Sequence, residues 1–156
     1  EFASRAGEKL RKQGSFASQV YVFAHTSPFR PPPQFSRGVM VPLRRPTADS
    51  ALLVAAAIAG MRRIYEPGYQ LAKCGVMLLD LVESSLYQAE LDLEPGEDRD
   101  QSHLMGTIDQ LNRRFGKRTV FVGSAGVPQA HEWAMRQERR TPQYTTRLAD
   151  VPIARA

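Results

Sequence analysis

Residues 69–93 read YQLAKCGVMLLDLVESSLYQAELDL, and the fold turns on how this stretch is divided. Tyr69 to Val82 is a run of Val, Leu and Met broken by one Lys and one Cys, too short for a membrane span, and it predicts a buried strand. Gln88 to Leu93 (QAELDL) is polar, carries two leucines two residues apart, and is followed by Glu94 and then Pro95-Gly96. A strand that closes a core and then releases a short adhesive peptide predicts a tethered binding domain. It does not predict a catalytic pocket.

Upstream of this strand the pattern is regular. Residues 3–13 (ASRAGEKLRKQ) are helix formers with a basic last turn, and Gly14 is a natural stop. Ser18 to Thr26 (SQVYVFAHT) is β-branched and aromatic and predicts a strand. Ser27 to Phe35 holds Pro28 and Pro31-Pro32-Pro33, a stiff connector. Ser36 to Leu43 (SRGVMVPL) alternates as a second strand, which Pro42 places near an edge. Thr47 or Asp49 then caps a helix whose Leu53, Ala56, Ala57, Gly60, Met61 and Ile64 share one face, ended by Pro67-Gly68. The order helix, strand, strand, helix, strand is most of a βαββαβ unit without its first strand. Such a unit is α+β, with an antiparallel sheet, both helices on one face and the other face free.

Downstream, residues 83–101 read as an acidic linker. A second, small mixed α/β unit begins at Ser102. It opens with a helix, SHLMGTIDQLNRRFG, that aligns Leu104, Ile108, Leu111 and Phe115 on one face. A short strand, Thr119 to Val122, and a Gly-rich turn follow, then an Arg-rich tail with Trp133 and Tyr144.

The bulk composition supports this division. The chain has 156 residues, 42% of them apolar, enough for one ordinary domain or a small domain with an appendage. A single cysteine, Cys74, excludes an intrachain disulfide and fits a reducing, cytoplasmic setting; mid-strand in apolar company, it reads as a small core residue. Glu1 is not an initiator Met, and the opening residues already look helical, so the chain reads as a piece of a longer protein. The apolar run Ala51 to Met61 is internal and short, so neither signal peptide nor membrane anchor is expected. The net charge of +5 is segregated. Residues 1–79 hold 11 Lys/Arg against 4 Asp/Glu, residues 80–100 one against 8, and residues 101–156 nine against 4. Basic blocks flanking an acidic connector point toward a polyanion partner, although a solvated Arg-rich surface is the commoner meaning of a modest excess.

Four runs stand in an order and spacing that resembles the C-terminal part of UmuC-type polymerases: TSPF (Thr26–Phe29), GYQLAKCGVML (Gly68–Leu78), LNRRFG (Leu111–Gly116) and TPQYTTR (Thr141–Arg147). These are Y-family translesion DNA polymerases, with the catalytic subunit of bacterial polymerase V as type member. The likeness spans essentially the whole chain. It implies that residues 1–82 are the little-finger DNA-binding domain without its first strand, which leaves an unpaired sheet edge. It further implies that residues 83–101 are a linker with a clamp-binding peptide, and residues 102–156 a C-terminal extension of undefined role. The catalytic palm with its Mg²⁺-binding carboxylates is expected upstream, so this part holds no catalytic residue and no cofactor. Implied partners are primer–template DNA, the β sliding clamp, a cleaved UmuD′-type dimer and the recombinase filament.

On that reading two constellations matter. A sliding-clamp peptide needs a Gln that bonds beside a pocket and apolar anchors a few residues on; Gln88, Ala89, Leu91, Asp92 and Leu93 form the leucine-ended hexapeptide variant. The bland reading is an acidic linker with incidental leucines. For DNA the candidates are Arg30, Arg37, Arg44, Arg45 and Lys73, with Thr26, Ser27, Ser36 and Gly38 at the hairpin end. Phosphate gripping uses cations together with small residues whose backbone N–H groups can approach. Lys73 alternates with Leu71 and Gly75 and so points off one sheet face, and these contacts are expected to ignore base sequence. The bland reading of each Arg is a solvated charge.

Other residues point nowhere. His25, His103 and His131 are scattered, without metal-ligand spacing. Gly123 and Gly126 are not followed by the start of a phosphate-binding helix, and Asp80 and Glu83 lack the paired setting for acid–base work. The rival classes are a protein–protein scaffold without DNA contact and a small α+β enzyme, the latter without any nameable nucleophile–base pair.

Overall fold

The computed structural model describes residues 1–86, 101–126, 149 and 151. Its elements run α1 (Phe2–Lys12), β1 (Ser15–Thr26), β2 (Ser36–Thr47), α2 (Ser50–Ile64), β3 (Leu71–Glu83) and α3 (Ser102–Phe115), with 3₁₀ turns at Ser84–Leu86 and Gly123–Ala125. The fold is α+β. Its three strands form one open antiparallel sheet in the order β2-β1-β3, so β1 is the central strand.

Alternation on β1 divides the sheet into two faces. Val20, Val22 and Ala24 are buried at 0–1% exposure in a core with Leu53, Val54, Ala57 and Ile64 of α2 and Ala3 of α1. Leu10 of α1 joins Ala17 and Ala48 in a second cluster, so both helices lie on this side. Gln13 closes α1 onto Lys9, and Gly14, at φ +68°, turns the chain into β1 in the left-handed region that glycine adopts without strain. The Gly14 carbonyl also accepts the Ser84 N–H at 2.9 Å, clasping the end of β3 to the start of β1.

β2 runs past the expected Leu43 to Thr47 in spite of Pro42 and Pro46. It is an outer strand, where a missing N–H is tolerated. Its pairing slips between Gln19↔Pro42 and Ala17↔Thr47, a bulge that absorbs the extra residues. Of the two predicted caps, Asp49 is the one used. Its Oδ1 accepts the N–H groups of Ala51 (2.6 Å) and Leu52 (3.4 Å), a cap worth about 1 kcal/mol, while Thr47 Oγ1 accepts the Asp49 N–H at 3.0 Å. Gly60 lets α2 approach the sheet: a Cβ there would meet methyls of Val22 and Val41 at 3.0 and 3.1 Å.

Four expectations are corrected. The stretch Tyr69 to Val82 does supply a strand, but β3 is an outer strand with no buried residue, and Met77, Leu81 and Val82 are exposed. Cys74 is exposed, not a core residue. It pairs with buried Ala24, but it sits on outer strand β3 while α2 lies over β1 and β2. The predicted apolar face of α3 does not pack inward. Leu104, Leu111 and Phe115 are 51, 36 and 61% exposed, and Met105 is the buried residue. The side of α3 that bears Met105 and Asp109 faces inward instead. Asp109 receives the Arg11 guanidinium of α1 at 2.7 and 2.8 Å. Thr119 to Val122 forms no strand, because Asn112 takes both backbone groups of Val120 at 2.9 and 2.8 Å.

Candidate nucleic-acid interface

The face of the sheet away from the helices is not covered by any described element. Its centre is a file of rings on β1: Tyr21 and Phe23 have centroids 6.0 Å apart at 26°, and Phe23 and His25 are 6.1 Å apart at 14°. Register places glycine on both sides of Phe23, at Gly38 on β2 and Gly75 on β3. The rings lean onto those glycines. A Cβ on Gly75 would come within 2.6 Å of Phe23 Cζ, and one on Gly38 would fall into the Tyr21 ring, 2.6 Å from its Cζ. Met40 and Met77 flank Tyr21, at 58 and 49% exposure.

At the hairpin end Ser36 and Lys73 lie across from His25, whose Nδ1 is 3.0 Å from the Thr26 carbonyl. At the other end stands Asp80, in a left-handed conformation (φ 49°); its carboxylate accepts a hydrogen bond from Gln19 Nε2 at 2.8 Å. The loop beyond the hairpin is braced by Gln34, which donates to the carbonyls of Pro28 and Arg30, and Phe29 at its tip is 95% exposed.

The predicted DNA residues are dispersed by the fold. Ser36, Gly38 and Lys73 are on the uncovered face. Ser27 and Arg30 are in the adjoining loop, where Arg30 donates to Gln70 Oε1 at 3.0 Å and Ser27 Oγ accepts the Phe29 N–H. Thr26 is buried and engaged: its Oγ1 donates to the Phe35 carbonyl and accepts the Phe35 N–H, closing the hairpin loop. Arg37 is in register with Ala24, a helix-side residue; it pairs with Glu66 at 2.9 Å and lies over the Phe35 ring. Arg44 and Arg45 are at the far end of β2, lining a cavity of about 790 Å³ with Lys12, Leu52, Met105 and Asp109. Gln88, Ala89, Leu91, Asp92 and Leu93 lie outside the described residues, as do His131, Trp133 and Tyr144.

Among the described residues, no three His, Cys, Asp or Glu side chains gather in a metal-binding group. No described helix is long and apolar enough to cross a membrane. The sequence reading passed over Tyr21 and Phe23. Their signal was present: aromatic rings at i, i+2 and i+4 on a strand, facing a glycine in each of two later strands.

Comparison with known proteins adds the family. Residues 1–91 match the impB/mucB/samB family C-terminal domain, and residues 102–154 match DUF4113, a domain of unknown function. Protein ImpB of Salmonella typhimurium is 36% identical over 99% of this chain, covering 36% of its own length. Protein UmuC of Salmonella typhimurium strain LT2 is 34% identical over 96% of the chain and 35% of its own length. Protein MucB of Escherichia coli is 35% identical over 98% of the chain and 36% of its own length. The chain thus spans little more than a third of these curated relatives, and no solved structure matches it. By the match over its first 91 residues, with its helices and sheet in place, this chain belongs to the impB/mucB/samB family and carries that family's C-terminal domain.

Proposed function

We propose that the chain is the DNA-binding and clamp-tethering part of an error-prone translesion DNA polymerase serving damage tolerance, with no catalysis of its own. The observation that supports this best is the uncovered sheet face of a chain in the UmuC, ImpB and MucB family. Of the carboxylates in residues 1–80, Glu1 precedes α1, Glu8 lies in it, Asp49 caps α2 and Glu66 follows it, which leaves Asp80 at the far end of the face, held by Gln19. The face is therefore open to a sugar–phosphate backbone at Lys73, Ser36 and Gly38, with Arg30 beside it.

Titrating labelled primer–template duplex at two salt concentrations tests the reading. With about two or three phosphates neutralised, affinity is expected to fall about 10- to 40-fold between 50 and 200 mM salt, regardless of sequence. Absence of binding at low salt, or indifference to salt, would remove the DNA assignment.

The tether is proposed on Gln88, Leu91 and Leu93, which follow β3 where a leash would leave the domain. Exchanging Leu91 and Leu93 together for Ala is expected to weaken binding to an immobilised sliding clamp by at least about 30-fold, since buried anchors dominate such interfaces. Unchanged clamp binding would eliminate this peptide. The parent enzyme's Mg²⁺-dependent nucleotide addition, its UmuD′-type dimer and the recombinase filament belong to the same proposal, without assignment to residues here.

A protein–protein scaffold is the second reading. The observation favouring it is the exposed stripe Leu104, Leu111 and Phe115 on α3, which is of the kind that meets a protein partner. A scaffold without DNA contact would give no duplex binding in the first experiment.

A further inference from the structure

We infer that the uncovered face holds unpaired nucleobases by stacking on Tyr21 and Phe23, so that it favours a single strand over a fully paired duplex. The inference rests on the proposed DNA binding and specifies which part of the DNA this face takes. The first argument is the spacing of the rings. Successive centroids on β1 are 6.0 and 6.1 Å apart. Bases in a duplex follow one another at about 3.4 Å along each strand, so a stacked duplex cannot match one base to each ring. A strand whose bases are spread apart can.

The second argument is what surrounds the rings. Gly38 and Gly75 remove the side chains that would otherwise stand beside Phe23, and Met40 and Met77 leave soft, polarizable side chains open at either side of Tyr21. The result is a low apolar platform along the central strand. Lys73 and Ser36 are at one end of it for phosphate, and the carboxylate at the other end, Asp80, is held by Gln19. Apolar rings with a cation at their edge and few carboxylates suit a chain of bases on an anionic backbone. Leaning of a ring onto a cross-strand glycine also shields the sheet backbone, and that role alone would account for the seats. It would not make binding depend on bases, and this difference is what the test reads.

Anisotropy titrations of the whole chain with three probes decide the matter: a short oligothymidine, an abasic strand of equal length, and the duplex. The wild-type protein is expected to bind oligothymidine at least about 10-fold more tightly than the abasic strand, with the duplex weaker than oligothymidine. Phe23→Leu and Tyr21→Leu, which keep an apolar residue on the strand, are expected to erase that preference while leaving abasic binding in place, with the protein still folded at the titration temperature after a fall in melting temperature of a few degrees. Lys73→Gln is expected to weaken all three probes alike. Equal affinity for oligothymidine and the abasic strand overturns the stacking proposal and leaves the DNA-binding reading standing. A base preference that survives both Leu variants also overturns it, by moving the stacking elsewhere. Failure of all three probes to bind removes the DNA-binding reading itself, and the inference with it.

Discussion

Arg11→Ala is expected to lower the melting temperature by about 6–12 °C and to release α3 from the sheet domain. The side chain is a four-way connector. Its Nε and Nη2 donate to the two Asp109 oxygens, and its Nη1 donates to the Ala48 carbonyl at 2.6 Å and to Ser50 Oγ at 2.9 Å. The paired side chains are only 15 and 12% exposed. Removing the cation therefore leaves a largely buried carboxylate and a carbonyl without their partner, a loss of about 3 kcal/mol. For a chain of this length each kcal/mol corresponds to about 2–4 °C. Calorimetry reads the shift, and hydrogen exchange over Ser102–Phe115 reads the release. Asp109→Asn keeps the shape and some of the hydrogen bonding, so its effect is expected to be smaller. A melting temperature within about 2 °C of wild type for Arg11→Ala would mean that α3 is held mainly by Met105.

Leu53→Ala is expected to be as damaging, through packing. Leu53 is 0% exposed and is among the largest fully buried side chains. It fills the space between α2, the sheet and α1, close enough that a Cβ on Gly7 would meet its Cδ1 at 3.1 Å. The loss is about 3–4 kcal/mol, made of lost transfer energy and a cavity that helices anchored on both sides cannot collapse. Its neighbour Leu52 is 47% exposed, and Leu52→Ala is expected to change stability by no more than about 0.5 kcal/mol. Denaturant midpoints of the two variants check the contrast. Equal midpoints would contradict the observed burial of α2.

Where local rules dominate, the sequence was a reliable guide. A cap at Thr47 or Asp49, the Gly14 stop and the apolar face of α2 depend on a few adjacent residues, and local pattern exposes them; the choice of Asp49 came from the structure. The antiparallel order of helices and strands was legible for the same reason. What was hidden depends on partners distant in the chain. The inward face of α3 was read from its hydrophobic spacing, but the side that faces inward carries Met105 and Asp109, and Asp109 meets Arg11, 98 positions away. Asn112 likewise uses the Val120 backbone that β propensity assigned to a strand. The candidate site divided in the same way. Lys73 and Gly38 could be placed on a strand by alternation, but which Arg would share their face depended on register. Arg37 falls on the helix-side parity, and the bulge before Thr47 carries Arg44 and Arg45 to a different surface.

The central position of β1 governs how this domain comes together during synthesis. Its first neighbour, β2, follows after a short loop, but its second, β3, is made only after α2, and Phe16 waits for Val82. As the chain emerges N-terminus first, α2 can cover Val20 and Val22 before β3 exists. A nascent chain of that length with α2 docked would be shielded on its apolar side and bare along one rim of β1, where backbone donors and acceptors are open to a foreign strand. Its hazard is mispairing rather than sticky collapse, and it ends when Ser84 reaches Gly14 and locks the last strand home.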